Sequence, residues 1–276
     1  MDEIKTHAVR EIHQNHDPAD RFAEEIRNIG HTVVQSGFSA DELRLVRERI
    51  DDTYDLQVRE IGGEDVLKRI NDADLVRCII GYDDYFLKLA THPLIIAITR
   101  KLLGENFILM SQNAIINRPA DAHYQFTWHR DLNYQHYVSS RPLGISALYA
   151  IDDFTEETGG TWLIPASHKS ETFPSSDYVR RHRKQNDAPA GSILLFDAMI
   201  YHRAGVNRSG RLRRSVNHIY CVPMIQQQIS LPSMLDGKFS DDPFLRMLLG
   251  YDTATGQSVR EWRARKLEKV ERLAQV

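Results

Sequence analysis

Three side chains in two separate stretches of the chain have the types and spacing of a metal site. His129 lies two residues before Asp131. On an extended strand, residues i and i+2 point to the same face, so this imidazole and this carboxylate can meet one ion while Arg130 points away. A His-x-Asp pair also arises by chance in a chain with 12 histidines, and it is then an ordinary surface pair. The pair therefore predicts a metal site only together with a further ligand.

His202 is the candidate for that further ligand. It follows a turn at Gly191 and an apolar run, 192–196, that is typical of a buried strand. Asn207 then favours a turn. Two histidines and one carboxylate on one side of an ion form the facial triad of non-haem iron(II) enzymes. A histidine at a turn or cap, without any metal, is the alternative interpretation of His202.

An arginine stands where a second anchor is needed. Arg213 lies eleven residues beyond His202, and a turn over 207–210 would return the chain toward the metal. A guanidinium gives a permanently charged, two-pronged anchor for a carboxylate, which suits the far end of a dicarboxylic cosubstrate. Arg211 shares the same strand face and is a rival, whereas Arg214 points to the opposite face.

Four motifs, taken in order, resemble the phytanoyl-CoA dioxygenase family. They are Trp128-His129-Arg130-Asp131, the stretch from Glu157 through Gly159-Gly160-Thr161 to Pro165-Ala166-Ser167-His168-Lys169, the stretch Gly191 to Asn207, and Arg213. One departure is Ala166, where the family prefers glycine, and it affects a turn. The resemblance implies a mainly β fold, a double-stranded β-helix (a jelly-roll or cupin-like core) with α-helices packed outside it.

The resemblance also implies the chemistry. Iron(II) would be bound by His129, Asp131 and His202, with 2-oxoglutarate on the iron and Arg213, and with O₂ as the oxidant. Enzymes of this family couple the conversion of 2-oxoglutarate to succinate and CO₂ with the oxidation of a C–H bond in a small-molecule substrate. Related halogenases lack the carboxylate ligand, so Asp131 favours hydroxylation, or desaturation, epoxidation or ring formation by the same centre.

Three further residues are predicted to line the pocket. Strand alternation places Thr127 on the face of His129 and Asp131. Gln112 lies seventeen residues before His129, on a strand expected to face the mouth. Thr161 begins the strand that, by the resemblance, passes beside 2-oxoglutarate.

Other histidines and a loop complete these expectations. His123, His136, His168 and His218 are expected not to bind the metal, although the first two flank the motif and can line the pocket. The lid is expected to contain Tyr134, Tyr137, Arg141 and the loop 170–188. That loop carries several basic residues suited to an anionic substrate, and a solvated mobile loop is the alternative. The substrate itself is not specified, since relatives act on acyl-CoA thioesters, amino acids, compatible solutes and secondary metabolites.

The elements that must position these residues form one predicted domain, 1–276. Helices are expected in a layer over about 17–104, including one opened by the capping pattern at Ser39 and Glu42, and at about 243–274, where 261–274 is a charged surface helix. A β-core spans about 105–225. Its short apolar segments are separated by Gly, Pro, Asp and Ser: they are Phe107 to Asn117, Tyr124 to Asp131, Gly144 to Ile151, Thr161 to Ile164, Ser192 to Phe196 and Arg214 to Val222.

Composition narrows the class of protein. A net charge of −3 and the absence of a dense basic block argue against a nucleic-acid partner. No apolar run is long enough for a signal peptide or a membrane span. The chain has only two cysteines, Cys78 and Cys221, which favours a cytoplasmic location. The oligomeric state is not indicated.

Two rival functions share these features. A cupin-type isomerase, or a hydrolase using zinc, also tolerates His/His/Asp ligands, but neither explains Arg213. A jelly-roll module that binds without catalysis is the second rival. Release of succinate in the presence of iron(II), O₂ and 2-oxoglutarate would separate the enzyme from both.

Overall fold

Capping residues begin the first two helices. The Asp17 side chain accepts backbone hydrogen bonds from the first turn while Asp20 reaches back, and Ser39 with Glu42 repeats this capping box. Gly30, with φ 88°, ends the first helix in the left-handed conformation. Over residues 4–119, 124–132 and 137–274, which the computed structural model describes, the helices are α1 (Pro18–Ile29), α2 (Ala40–Glu60), α3 (Glu64–Arg69), α4 (Leu87–Ala90), α5 (Pro93–Leu103), α6 (Ser176–His182), α7 (Leu231–Leu235), α8 (Pro243–Leu248) and α9 (Val259–Leu273).

The strands pair into two antiparallel sheets. They are β1 (His31–Gln35), β2 (Leu75–Val76), β3 (Ile108–Asn117), β4 (Gly144–Ala150), β5 (Trp162–Leu163), β6 (Lys184–Gln185), β7 (Ser192–Asp197), β8 (His202–Arg203) and β9 (Arg213–Cys221). Within the described residues, the larger sheet has the order β1-β7-β4-β9-β3-β2 and the smaller one β6-β5-β8. Neighbours along the larger sheet are mostly far apart in sequence, as in a jelly roll.

Side-chain alternation divides the larger sheet into two faces. Ile145, Ala147 and Tyr149 on β4 pack with the helices in the main core. Leu148 and Ala150, the residues between and after them, pack with residues of the smaller sheet and its flanks. The smaller sheet therefore covers the face of the larger sheet that the helices leave open, and a site between the two sheets is shielded on both sides.

Most predicted elements are confirmed, and one is wrong. The N-terminal helical layer is present as α1 to α5, the helix opened by Ser39 and Glu42 is α2, and the C-terminal helices are α8 and α9. The stretch 124–131, expected to be a strand, instead starts with a 3-10 turn over 124–126 and makes a single bridge, His129 with His202. The wrong assignment arose because aromatic and β-branched residues also suit an irregular buried segment. The single-domain organisation stays a prediction.

No helix among the described residues is long and apolar enough to cross a membrane. The cytoplasmic location stays a prediction.

A buried histidine predicts how stability depends on pH. His218 is fully buried, and Gln112 Nε2 donates to its Nε2 at 2.7 Å, so the ring must be neutral. Burial lowers the pKa of His218 to about 3. Below about pH 6.5 the His218 ring therefore binds a proton in the unfolded chain but not in the folded chain. The free energy of unfolding consequently falls as the pH falls.

We expect the His218→Phe variant to lose part of this pH dependence. Urea unfolding between about pH 7 and pH 5 should show a slope reduced by up to about 1.4 kcal/mol per pH unit. The comparison concerns slopes, since the substitution also leaves Gln112 without its partner. Equal slopes in the variant and the wild type would contradict the prediction.

Candidate metal and cosubstrate site

The three predicted ligands meet at one point between the sheets. Candidate ligand atoms of His129, Asp131 and His202 all lie within 4.8 Å of one another, and His202 Nε2 is 3.5 Å from Asp131 Oδ1. The backbones of His129 and His202 exchange two hydrogen bonds of 3.0 Å, and the Asp131 amide donates to the Ala198 carbonyl at 3.0 Å. These backbone bonds hold the two stretches together without help from the metal.

Hydrogen bonds orient both imidazoles for ligation. His129 Nδ1 donates to the Thr127 carbonyl at 2.9 Å, and His202 Nδ1 donates to the Ile200 carbonyl at 3.1 Å. Because carbonyl oxygens only accept, Nδ1 carries a proton in each ring, and Nε2 is the atom left to face a metal. Burial opposes protonation of His202, but the neighbouring Asp131 outweighs it and raises the pKa, so a bound metal would displace the proton that the carboxylate favours on Nε2. A second hydrogen-bond partner of this kind is the usual support of a metal-bound histidine.

Two residues of the larger sheet hold the carboxylate. The Ser146 hydroxyl donates to Asp131 Oδ2, and Asn217 Nδ2 donates to the same oxygen at 3.3 Å. Burial alone would raise the pKa of Asp131, but the attraction of His202 and the hydrogen bonds outweigh it and lower the pKa to about 2. Burial lowers the pKa of His129 to about 4. Both groups are therefore held in the deprotonated forms that metal binding requires.

The triad opens onto a cavity of about 310 Å³. Both sheets contribute to its wall, which includes Leu75, Arg77, Met110, Ser111, Asn113, Ile115, Gln125, Thr127, Leu148, Thr161, Phe196, Arg213, Ser215, Asn217, Ile219 and Gln228. The wall carries both polar and apolar side chains, and along β9 every second residue from Arg213 to Ile219 faces it.

Arg213 is a buried cation in this wall. It is 2% exposed, its guanidinium stacks 4.3 Å from the centre of the Phe154 ring, and its Nε has no hydrogen-bond partner among the described residues. No carboxylate within the described ranges lies close enough for an ion pair with it. Burial lowers its pKa to about 10. A buried charge of this kind is expected to have an anionic partner, so the site is built to receive an anion.

The other predicted residues divide into those that reach the cavity and those that do not. Thr127 and Thr161 line it, in agreement with the expectation. Arg214 lies on the opposite face of β9, where it binds Asp51 and Asp152. Arg211 precedes the strand, is exposed, and is absent from the cavity wall.

The prediction for Gln112 is wrong. Its side chain is fully buried on the helix side of β3, where it donates to the Phe86 carbonyl at 2.8 Å and to His218. A bulge between Leu109 and Ser111 shifts the register with β9. One extra residue reverses the alternation of the strand, so residues 111 and 113 face the cavity and 112 faces away.

The remaining histidines do not join the triad where they are described. His168 is buried against Gly30, and its Nε2 lies 3.3 Å from the Arg27 carbonyl oxygen. His218 lies in the core beneath the larger sheet. His123, His136 and Tyr134 lie outside the described residues.

The predicted lid does not contribute basic residues to the cavity. The loop folds as α6 and β6, and Arg180 and Arg181 pair with Asp177 on its exposed side. Tyr137 and Arg141 are exposed and absent from the described wall. The expectation that this loop meets an anionic substrate therefore has no support in the cavity.

Sequence reasoning missed the two residues that hold Asp131. Asn217 could have been found, because it follows Arg213 by four residues on the same strand face. Ser146 carries no such signal, since nothing in the mainly apolar sequence of its strand relates it to the His129–Asp131 motif.

A jelly roll that brings two histidines and one carboxylate together at a cavity has the ligand set of the non-haem iron oxygenases. The phytanoyl-CoA dioxygenase family model matches residues 26–215. An uncharacterized protein of Mycobacterium tuberculosis is 28% identical over 78% of this chain and 80% of its own. The ectoine dioxygenase of Stutzerimonas stutzeri is 22% identical over 73% of this chain and 76% of its own.

A solved structure shares the fold. EctD from S. alaskensis, crystallised with 2-oxoglutarate and 5-hydroxyectoine, superposes with a TM-score of 0.63 at 20% identity, covering 77% of this chain and 79% of that chain. The chain belongs to the phytanoyl-CoA dioxygenase family. It is thereby a non-haem iron dioxygenase that uses iron(II), 2-oxoglutarate and O₂, and the predicted fold class is confirmed.

Proposed function

We propose that the protein hydroxylates an unactivated C–H bond of a small molecule, with iron(II) held by His129, Asp131 and His202 and with the C5 carboxylate of 2-oxoglutarate held by Arg213. Succinate and CO₂ would be the coproducts. One observation carries the proposal: a compact triad of the right donor types lies in the same cavity as a buried arginine without a carboxylate partner among the described residues.

The donor set fits the metal. Two neutral imidazoles and one carboxylate are the ligands that iron(II) oxygenases use on one face of an octahedron. Iron with its cosubstrate supplies the oxidising power when bound. The chain supplies the geometry: Ser146 and Asn217 keep one oxygen of Asp131 occupied, so its other oxygen remains for the metal.

Arg213 lies along the same cavity wall as Asn217, which holds Asp131. It lies four residues before Asn217 on one strand face, which corresponds to roughly 13 Å at 3.3 Å per residue. A dicarboxylate that binds the metal at one end can extend along this wall to the guanidinium. Leu148 and Phe196 line the same cavity, and apolar side chains there exclude water from the reacting groups.

The remaining wall favours a substrate without a strong negative charge. Arg77 is already paired with Asp72, and Asn113 donates to Gln228 Oε1 at 2.9 Å. Arg77 is thus largely neutralised, and the neighbouring polar groups are amides. We propose a small polar molecule as the substrate, rather than a polyanionic one.

An anaerobic titration tests the site assignment. Iron(II) added with 2-oxoglutarate to the wild type should produce a visible metal-to-ligand charge-transfer band, and His129→Ala should not produce it. His182→Ala, on the exposed surface of α6, is the matched control and should behave as the wild type does. If the wild type gives no band, the site assignment is wrong.

Succinate release then separates the rival functions. With iron(II), 2-oxoglutarate and O₂, the wild type should release succinate slowly alone and faster when a substrate is added. A zinc hydrolase, a cupin-type isomerase or a binding module would release none. Amino acids, small acids and uncharged polar compounds are then added one at a time. The substrate is identified as the compound that stimulates the release of succinate.

A further inference from the structure

Arg130 stands between two metal ligands in sequence but directs its side chain away from them. It is 5% exposed, and no carboxylate among the described residues lies within ion-pair distance of it. A buried guanidinium without such a partner is costly unless its donors are satisfied in another way. The contacts of this side chain therefore show how its buried charge is accommodated.

Backbone carbonyls satisfy the guanidinium. Nε donates to the Met199 carbonyl at 2.8 Å, and Nη1 donates to the Glu171 carbonyl at 3.3 Å. Nη2 donates to the Ser167 carbonyl at 3.3 Å and also to that of Ser170. Lysine has no planar fork of five donors and cannot reproduce this pattern.

The carbonyls belong to two segments that flank the third ligand. Met199 lies in the turn between β7 and His202, and the 167–171 turn follows β5, which pairs with β8 at His202. Tyr201 strengthens the connection, because its ring lies 4.0 Å from the Arg130 guanidinium carbon and its hydroxyl donates to the Glu171 carbonyl at 3.0 Å. One side chain thus ties the His129–Asp131 pair to both sides of the segment that carries His202.

We propose that Arg130 is a positioning residue of the metal centre, which fixes the His129–Asp131 pair relative to His202 through its bonds to the 167–171 turn and to Met199. This inference rests on the proposed function only in taking these three residues as the ligands. Without the guanidinium, the two ligand segments keep their direct backbone hydrogen bonds but lose those that Arg130 makes to the 167–171 turn and to Met199. The three donor atoms are then held less closely together and bind metal less tightly.

Cobalt(II) alone is the probe, because its visible spectrum reports the coordination geometry without cosubstrate or turnover. Affinity is measured by competition with a chromophoric chelator at a temperature where each variant is folded. We expect Arg130→Met to weaken cobalt(II) binding about tenfold or more, in the range of supporting residues around metal ligands. Arg130→Lys should fall between it and the wild type, and both should change the cobalt(II) band intensities.

Arg203→Met is the matched control. Arg203 directly follows His202, as Arg130 follows His129. Among the described residues, however, it donates to one carbonyl, that of Phe126 at 3.1 Å, and its guanidinium carbon lies 5.4 Å from the centre of the Trp128 ring. Its replacement should change cobalt(II) affinity by less than about threefold. A general loss of stability would lower the melting temperature in either variant without altering affinity or spectrum in the folded protein.

The outcomes are distinct. A folded Arg130→Met protein with wild-type cobalt(II) affinity and spectrum overturns the inference. If Arg130→Met does not fold, the same criteria apply to Arg130→Lys. A wild type that binds no cobalt(II) would instead contradict the proposed metal site itself.

Discussion

Replacing Arg213 by methionine should weaken 2-oxoglutarate binding by a factor of about 100 or more, because the partner of a buried charge is worth roughly 3 to 5 kcal/mol. Iron(II) affinity measured without cosubstrate should stay near that of the wild type, since Arg213 is four residues from Asn217 and contacts none of the three ligands. Titration of the visible band with 2-oxoglutarate measures the first quantity and chelator competition the second.

The same substitution has a second expected consequence. In the folded chain Arg213 is buried without an ion-pair partner among the described residues, and burial outweighs the distant attraction of Asp152 and lowers its pKa to about 10. Methionine removes that cost while keeping much of the volume. The free energy of unfolding of Arg213→Met without cosubstrate should therefore equal or exceed that of the wild type, so weaker binding cannot be attributed to a damaged fold.

Two neighbouring arginines serve as controls. Arg214→Met should lower stability, because Arg214 binds Asp51 at 2.8 Å and Asp152 at 3.2 Å, but it should leave 2-oxoglutarate affinity intact. Arg211→Met should change neither the stability nor the affinity for 2-oxoglutarate. Loss of affinity in Arg211→Met with a silent Arg213→Met would show that the cosubstrate is anchored by the other arginine.

The metal triad could be predicted from sequence because its geometry depends on short-range rules. An extended His-x-Asp segment presents both side chains together in almost any fold. Only the approach of His202 depends on how the strands of this fold are connected. The resemblance supplied that topology. The same reasoning placed Arg213 near the triad, and it does line the cavity, because an irregular loop over 204–212 returns the chain from β8 to β9, which begins at Arg213.

Gln112 shows where such reasoning stops. Its face depends on whether the strand runs without interruption, and the bulge near Met110 leaves no mark in the residue types. Met110, Ser111 and Asn113 all line the cavity, which regular alternation forbids. Contacts between distant segments cannot be predicted from residue types either. The hydrogen bond of Ser146 to Asp131 and the hydrogen bonds of Arg130 to the 167–171 turn became known only from the three-dimensional structure.

A close approach of two backbones controls the segment between His202 and Arg213. The Gly205 amide donates to the Gly159 carbonyl at 3.2 Å, and Asn117 Nδ2 donates to the Gly205 carbonyl at 3.0 Å. A side chain at Gly159 would lie 2.8 Å from the carbonyl carbon of Gly205 and would overlap its oxygen. Gly159 also has φ 77°, where residues with a Cβ are strained.

The Gly159→Ala variant should therefore lose far more stability than its backbone conformation alone explains. Gly37 is the matched control, because its φ of 74° is nearly the same and nothing lies within 4 Å of a Cβ placed there. We expect Gly37→Ala to cost about 1 to 2 kcal/mol of unfolding free energy. Gly159→Ala should cost about 2 kcal/mol more, since the overlap involves backbone that cannot rotate away.

Urea unfolding of the two variants measures the difference directly. The overlap also displaces the segment that leads from His202 toward Arg213, so Gly159→Ala should weaken 2-oxoglutarate binding in the protein that remains folded, and Gly37→Ala should not. Equal losses of stability in the two variants would mean that the segments around Gly159 and Gly205 can move apart at low cost. In that case the approach at Gly159 does not hold Arg213 in place.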